Sequence, residues 1–212
     1  MLKPSPEGEG FDPTRSGTIK ISYRPYICPF SDLLKRIPTK STIFDIGCGN
    51  GMFLSLLAKF NAPHAIGGIE ISKELINNAQ IAISNITPNT TAVSLDVFDG
   101  VNFPKEISSY SYVTLIDVLH HVPKSRQVDF LEEIYRVMSP NSIFIIKDID
   151  GERRILSMFN KLHDLLFAGE AGNEIGATKV KRELNDIGFM TEPISYRRMF
   201  TYPHYTIVCR KK

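Results

Sequence analysis

Apolar residues along this chain come as short, nearly continuous runs alternating with stretches in which they recur every three or four positions. Thr42-Ile43-Phe44-Asp45-Ile46 is a run of the first kind. Met52 to Phe60, with Phe53, Leu54, Leu56, Leu57 and Ala58, is of the second. The first pattern predicts a strand buried on both faces, the second a helix with one face on a core. Further strands are predicted at Ala65 to Glu70, Thr91 to Leu95, Tyr110 to Ile116 and Ser142 to Asp148, with helices at Ser72 to Ser84 and Lys124 to Met138. The order reads β-α-β-α-β-α-β-α-β, which right-handed crossovers fold into a parallel sheet covered on both faces. After a helix from Lys179 to Ile187 it changes. Strands near Met190 to Tyr196 and Tyr205 to Arg210 are joined by a short connection containing Pro203, which implies a C-terminal antiparallel hairpin strand.

Two stretches stand outside this alternation. Residues 1–20 mix proline, glycine and charge without periodicity and are expected to be a flexible N-terminal segment. A short helix from Ser31 to Ile37, capped by Ser31 or Asp32 and stopped before Pro38, then opens a single domain over 21–212. Within it, 151–176 forms an insert. Ile155, Phe159, Leu162 and Leu166 share one helical face, and Gly169, Gly172 and Gly176 follow. This segment reads as a lid over substrate, as a core helix, or as a helix in peripheral membrane contact through Arg153, Arg154 and Lys161.

Composition narrows the class. At 212 residues the chain can bury one substantial core, and a formal charge of +2 gives no large basic field for nucleic acid. Cys28, Cys48 and Cys209 are odd in number and lack C-x-x-C spacing, so neither a disulfide framework nor a zinc site is expected. Without a signal-type leader or a membrane-length apolar run, the expectation is a soluble, cytoplasmic protein.

The candidate chemistry lies at the turn Asp45-Ile46-Gly47-Cys48-Gly49-Asn50-Gly51. Alternating glycines let the backbone turn sharply and approach a ligand, and the next helix starts with free N–H groups facing the same crevice. A dinucleotide fingerprint would call for glycine at position 52 or 54, depending on the frame; Met52 and Leu54 stand there. A carboxylate at the strand end would repel a pyrophosphate and suits a cationic ligand.

The turn resembles the first motif of the class I S-adenosylmethionine-dependent methyltransferases, and the acids at the ends of the next three strands follow the same family in order. The resemblance implies a Rossmann-like, seven-stranded, mostly parallel sheet with helices on both faces, and S-adenosylmethionine as cofactor. It assigns the glycine turn (Asp45, Gly47, Cys48, Gly49, Asn50, Gly51) to the cofactor, Glu70 with its neighbour Ile71 to the ribose hydroxyls, and Asp96 with Val97 to the adenine. Asp99 is the rival adenine acid. Asp117, opening Asp117-Val118-Leu119-His120-His121, falls beside the transferable methyl group.

The acceptor is less legible. His121 is the first candidate for a base, with a suitable pKa and a place at the cofactor edge. His120, Asp148, His163, Tyr202 and His204 rank behind it. The [DN]-P-P-[YF] signature of enzymes that hold a flipped base amine is absent, as is a Pro-Cys pair near the fourth strand. The expected acceptor is therefore a small or lipid-like molecule rather than nucleic acid, with no metal. The alternatives are a cofactor-binding regulatory protein without catalysis, a nucleic-acid methyltransferase and, on the glycine spacing, a nicotinamide oxidoreductase.

Overall fold

The computed structural model describes residues 28–87, 90–151, 175–199 and 202–212. The expected flexible segment, most of the 151–176 insert and His163 lie outside these residues, as does the side chain of Tyr202.

The chain opens with a short helix α1 (Phe30–Leu34), then β1 (Thr42–Ile46), α2 (Met52–Asn61), β2 (Ala65–Glu70), α3 (Lys73–Ser84) and β3 (Ala92–Val97). There follow β4 (Tyr112–Ile116), α4 (Gln127–Val137), β5 (Ile143–Ile149), α5 (Ala177–Ile187), β6 (Phe189–Thr191), β7 (Ser195–Met199) and β8 (Tyr202–Lys211). The sheet order is β3-β2-β1-β4-β5-β8-β6, with β7 also paired to β8. Strands β1 to β5 are parallel, and β8 runs antiparallel to β5, β6 and β7.

The expected α/β architecture holds. Its seven positions carry eight strands among the described residues, because the segment expected as one strand near Met190 to Tyr196 divides around Pro193. Proline has no N–H for a ladder. Phe189 to Thr191 pairs with one stretch of β8, and Ser195 to Met199 with the next.

Other expectations shift. No α-helix joins β3 to β4; Gly100 and Pro104 punctuate that connection, and only a 3-10 turn forms at Lys105–Ser109. Neither Ser31 nor Asp32 caps α1, which starts at Phe30 behind Pro29 because Phe30 and Leu33 are the residues drawn into the core. The helix expected from Lys124 begins as a 3-10 turn, Lys124–Arg126, and becomes α-helical at Gln127.

Two apolar layers sandwich the sheet. On one face Ile43, Ile66 and Ile145 pack with residues of α1, α2 and α3; on the other Phe44, Leu115, Ile146 and Tyr205 pack with α4 and α5. With both faces covered, the carboxyl edge of the parallel strands is the natural place for a ligand. No helix among the described residues is long and apolar enough to cross a membrane.

Candidate functional site

The glycine turn leaves β1 with φ values of +73° at Gly47, +56° at Gly49 and +77° at Gly51. Gly47 N and Cys48 N donate to the carbonyl of Ile69 at 2.8 and 3.0 Å, fastening the turn to the end of β2. There the Glu70 carboxylate accepts from Gly49 N through Oε2 and from Ser72 N through Oε1, each at 3.1 Å. Ser72 also caps α3, accepting from Leu75 N at 3.3 Å. One side chain thus ties the turn after β1 to the start of α3.

The end of β4 closes the other side. Asp117 takes φ +56°, unusual for a residue with a side chain. Its N–H donates to the Lys147 carbonyl at 2.9 Å, and Lys147 Nζ donates to Asp117 Oδ1 at 2.6 Å. Val118 then lies over Gly47, so closely that a Cβ on Gly47 would stand 2.4 Å from Val118 Cγ2.

Between these walls is a cavity of about 1110 Å³, within reach of Gly47, Gly49, Glu70, Ile71, Asp117 and His121. The candidate residues it does not bring to its lining are Asp45, Cys48, Asn50, Gly51, Asp96 and Val97. Asp45 is buried beneath the turn and accepts from Thr114 Oγ1 at 2.6 Å. Asp96 is exposed on β3 and accepts from Ser94 Oγ at 3.2 Å. Of the secondary base candidates, His120 and Asp148 are buried against one another, with Nδ1 and Oδ1 2.6 Å apart, and His204 is buried.

An apolar wall completes the cavity, and the sequence reading did not assign it. Phe98, Phe103 and Phe130 form a chain of rings with centroids 4.9 and 5.2 Å apart, and all three line the cavity. Asp99 shapes it from outside. Its carboxylate accepts from Val101 N (2.8 Å), Asn102 N (2.7 Å) and Asn102 Nδ2 (2.7 Å), bonds that hold its pKa below the usual value, the Asn102 amide contributing most. The Asp99-Gly100 dipeptide was the available signal, being a turn former directly after an apolar strand.

The thiols here are quiet. Burial, then the charges of Asp45 and Glu70, push the Cys48 thiol far above its ordinary range; burial does the same to Cys209. A raised pKa removes the reactive thiolate. Cys48 and Cys209 are therefore expected to resist alkylation by iodoacetamide in mildly alkaline buffer until the chain is unfolded. Rapid labelling of either in the native state, read by peptide mass mapping, would contradict their environments. Among the described residues no group of His, Cys, Asp and Glu is placed to hold a metal ion.

A family model described as a methyltransferase domain matches residues 22–193. The chain belongs to the class I S-adenosylmethionine-dependent methyltransferase family. Within that family it is 30% identical over 129 residues to Arabidopsis thaliana tRNA (carboxymethyluridine(34)-5-O)-methyltransferase, covering 60% of this chain and 29% of that protein. It is 25% identical over 158 residues to human EEF1A lysine methyltransferase 2, covering 67% of this chain and 66% of that protein. The chain thus spans less than two thirds of the length of both relatives. Its fold matches the crystal structure of magnesium protoporphyrin IX methyltransferase from Synechocystis PCC 6803 with bound SAH, with a TM-score of 0.71 at 16% identity over 98% of this chain and 90% of that one.

The residues present fit the family's cofactor. The Gly47 cradle has no room for a Cβ, Glu70 holds two oxygens at the cavity edge on backbone donors, and an aromatic wall lines the same cavity. A vicinal diol matches two carboxylate oxygens, each with a lone pair left after its backbone bond.

Proposed function

We propose that this chain catalyses S-adenosylmethionine-dependent methyl transfer to a small-molecule or lipid-like acceptor. The observation that carries this reading is the Glu70 carboxylate, braced by Gly49 N and Ser72 N at the rim of a cavity that runs on to Asp117 and His121. When bound, the cofactor supplies a methyl group on a positively charged sulfur, open to in-line attack. The chain's own residues bind, orient and keep the reaction dry. Glu70 accepts the ribose hydroxyls. Gly47 and Gly49 let main chain approach the ligand, and Ile71 and Phe98 offer apolar contact for its ring. Asp117, partly neutralised by Lys147, gives the cavity a local anionic partner for a cationic group. His121, on the wall, is placed to take the proton of an attacking hydroxyl or amine.

The apolar wall of Phe98, Phe103 and Phe130 and the near-balanced charge support a small or lipid-like acceptor. A macromolecular acceptor is the second reading, favoured by the tRNA and protein-lysine activities named for two relatives.

Calorimetry with S-adenosylmethionine, S-adenosylhomocysteine and NAD tests the cofactor; release of S-adenosylhomocysteine over a panel of phenols, quinols, lipids, tRNA and protein tests the acceptor. Binding of the first two ligands but not NAD is expected, with turnover on a small acceptor. No S-adenosylmethionine binding would overturn the reading, and turnover on tRNA or protein alone would replace the acceptor class. Unchanged turnover in His121→Ala would remove His121 as base.

A further inference from the structure

Two consecutive residues of β5 grip the turn after β4 from opposite faces of the sheet. Side chains alternate along a strand. Ile145 packs with the α1–α3 layer and Ile146 with the α4–α5 layer, so Lys147 points to the first layer and Asp148 to the second. From the first side, fully buried Lys147 reaches Asp117 Oδ1 at 2.6 Å. From the second, Asp148 takes the His120 amide on Oδ2 at 3.2 Å and meets His120 Nδ1 through Oδ1 at 2.6 Å. The stretch these grips hold carries the left-handed Asp117, Val118 above Gly47, and a short 3-10 turn that ends at His121, one residue past the second grip.

A buried ion pair is a poor source of stability, since apolar side chains of similar volume often replace one at no loss. Its better-attested use is to select one conformation among several. Here that conformation is an Asp117 backbone in a sparsely populated region, the kind of strain that persists only where its surroundings over-determine it. We infer that Lys147 and Asp148 are positioning residues: the two-sided grip fixes where the Asp117 carboxylate and the His121 ring stand along the cavity. This inference rests on the proposed cofactor reading for what the cavity holds, while the grip itself has a readout that needs no ligand.

The experiment is hydrogen–deuterium exchange of the turn amides in the full chain, beside calorimetry with S-adenosylhomocysteine. Lys147→Met removes the ammonium and keeps an unbranched side chain one atom shorter; Asp148→Asn keeps shape and removes charge. In each, the amides of His120, His121 and Val122 are expected to exchange about tenfold faster, with β2 and α3 unaffected, and affinity for S-adenosylhomocysteine to fall about tenfold. Adding Asp117→Asn to Lys147→Met is expected to recover much of the loss in exchange protection, because the unpaired carboxylate is then gone. In Asp148→Asn the ¹⁵N resonances of the His120 imidazole are expected to move.

Wild-type exchange at the turn in both variants would overturn the grip. Faster exchange with wild-type affinity would overturn its link to the cavity. If Lys147→Met does not fold, Asp148→Asn carries the same test from the other face. Failure of the wild-type chain to bind S-adenosylhomocysteine would instead remove the cofactor reading, and the exchange data alone would then judge the grip.

Discussion

Gly47→Ala is expected to lower the unfolding free energy by about 2–4 kcal/mol and to abolish detectable cofactor binding. Two effects combine. At φ +73° an L side chain is strained whatever space surrounds it, a term of roughly 1–2 kcal/mol. The new Cβ would also meet Val118 Cγ2 at 2.4 Å, and valine cannot swing away freely because its χ1 is restricted. Relief requires the turn after β4 to back off, and that turn is anchored through Asp117 and His120 to β5. Denaturant titration measures the stability loss. Adding Val118→Ala should recover the clash component and leave the backbone strain, so the double variant is expected to lie between the single variant and the parent. A Gly47→Ala protein with parental stability would show that the turn is softer than its contacts state.

Glu70→Ala is expected to weaken S-adenosylhomocysteine binding about a hundredfold, since two hydrogen bonds to a charged group are worth roughly 3 kcal/mol together. A further loss comes from the apo structure, because the amides of Gly49 and Ser72 would both lose their acceptor. Glu70→Gln separates the two contributions. It keeps one carbonyl oxygen for a backbone amide or a hydroxyl but cannot serve both sides at full charge, so an intermediate affinity is expected. Calorimetry at matched ionic strength reads both variants. Parental affinity in Glu70→Ala would remove this residue from ligand recognition and with it the observation that carries the proposed function.

Much of the fold was legible because its signals are local. Ile43, Phe44 and Ile46, like Ile66 and Ile69, put apolar side chains on both faces, as strands inside a covered parallel sheet do, and Gly47, Gly49 and Gly51 each take a positive φ. Asn141, in the turn before β5, reaches φ +65° as asparagine can. What escaped depends on side-chain direction or distant partners. Spacing puts Asp45 near the end of β1 but does not say that its carboxylate turns beneath the glycine turn toward Thr114. The same holds at β3, where Asp96 faces solvent and the next ring, Phe98, reaches the cavity. The aromatic wall joins residues from the loop after β3 and from α4, and no local pattern links them. Lys147 lies near the end of the strand predicted at Ser142 to Asp148; its burial and its bond to Asp117 exist only once β4 and β5 lie side by side.

Strand β8 lies between β5 on one side and β6 and β7 on the other, with Tyr205, Ile207 and Cys209 buried in the sheet's apolar layer. During synthesis on the ribosome, β5 therefore presents an unpaired edge until Tyr202 to Lys211 has emerged from the exit tunnel. The nascent chain up to that point carries the whole glycine turn and Glu70, yet its central sheet stays open to stray strands. In chains stalled on an added C-terminal linker, chaperone dependence and aggregation should both drop sharply once the linker is long enough for β8 to clear the tunnel.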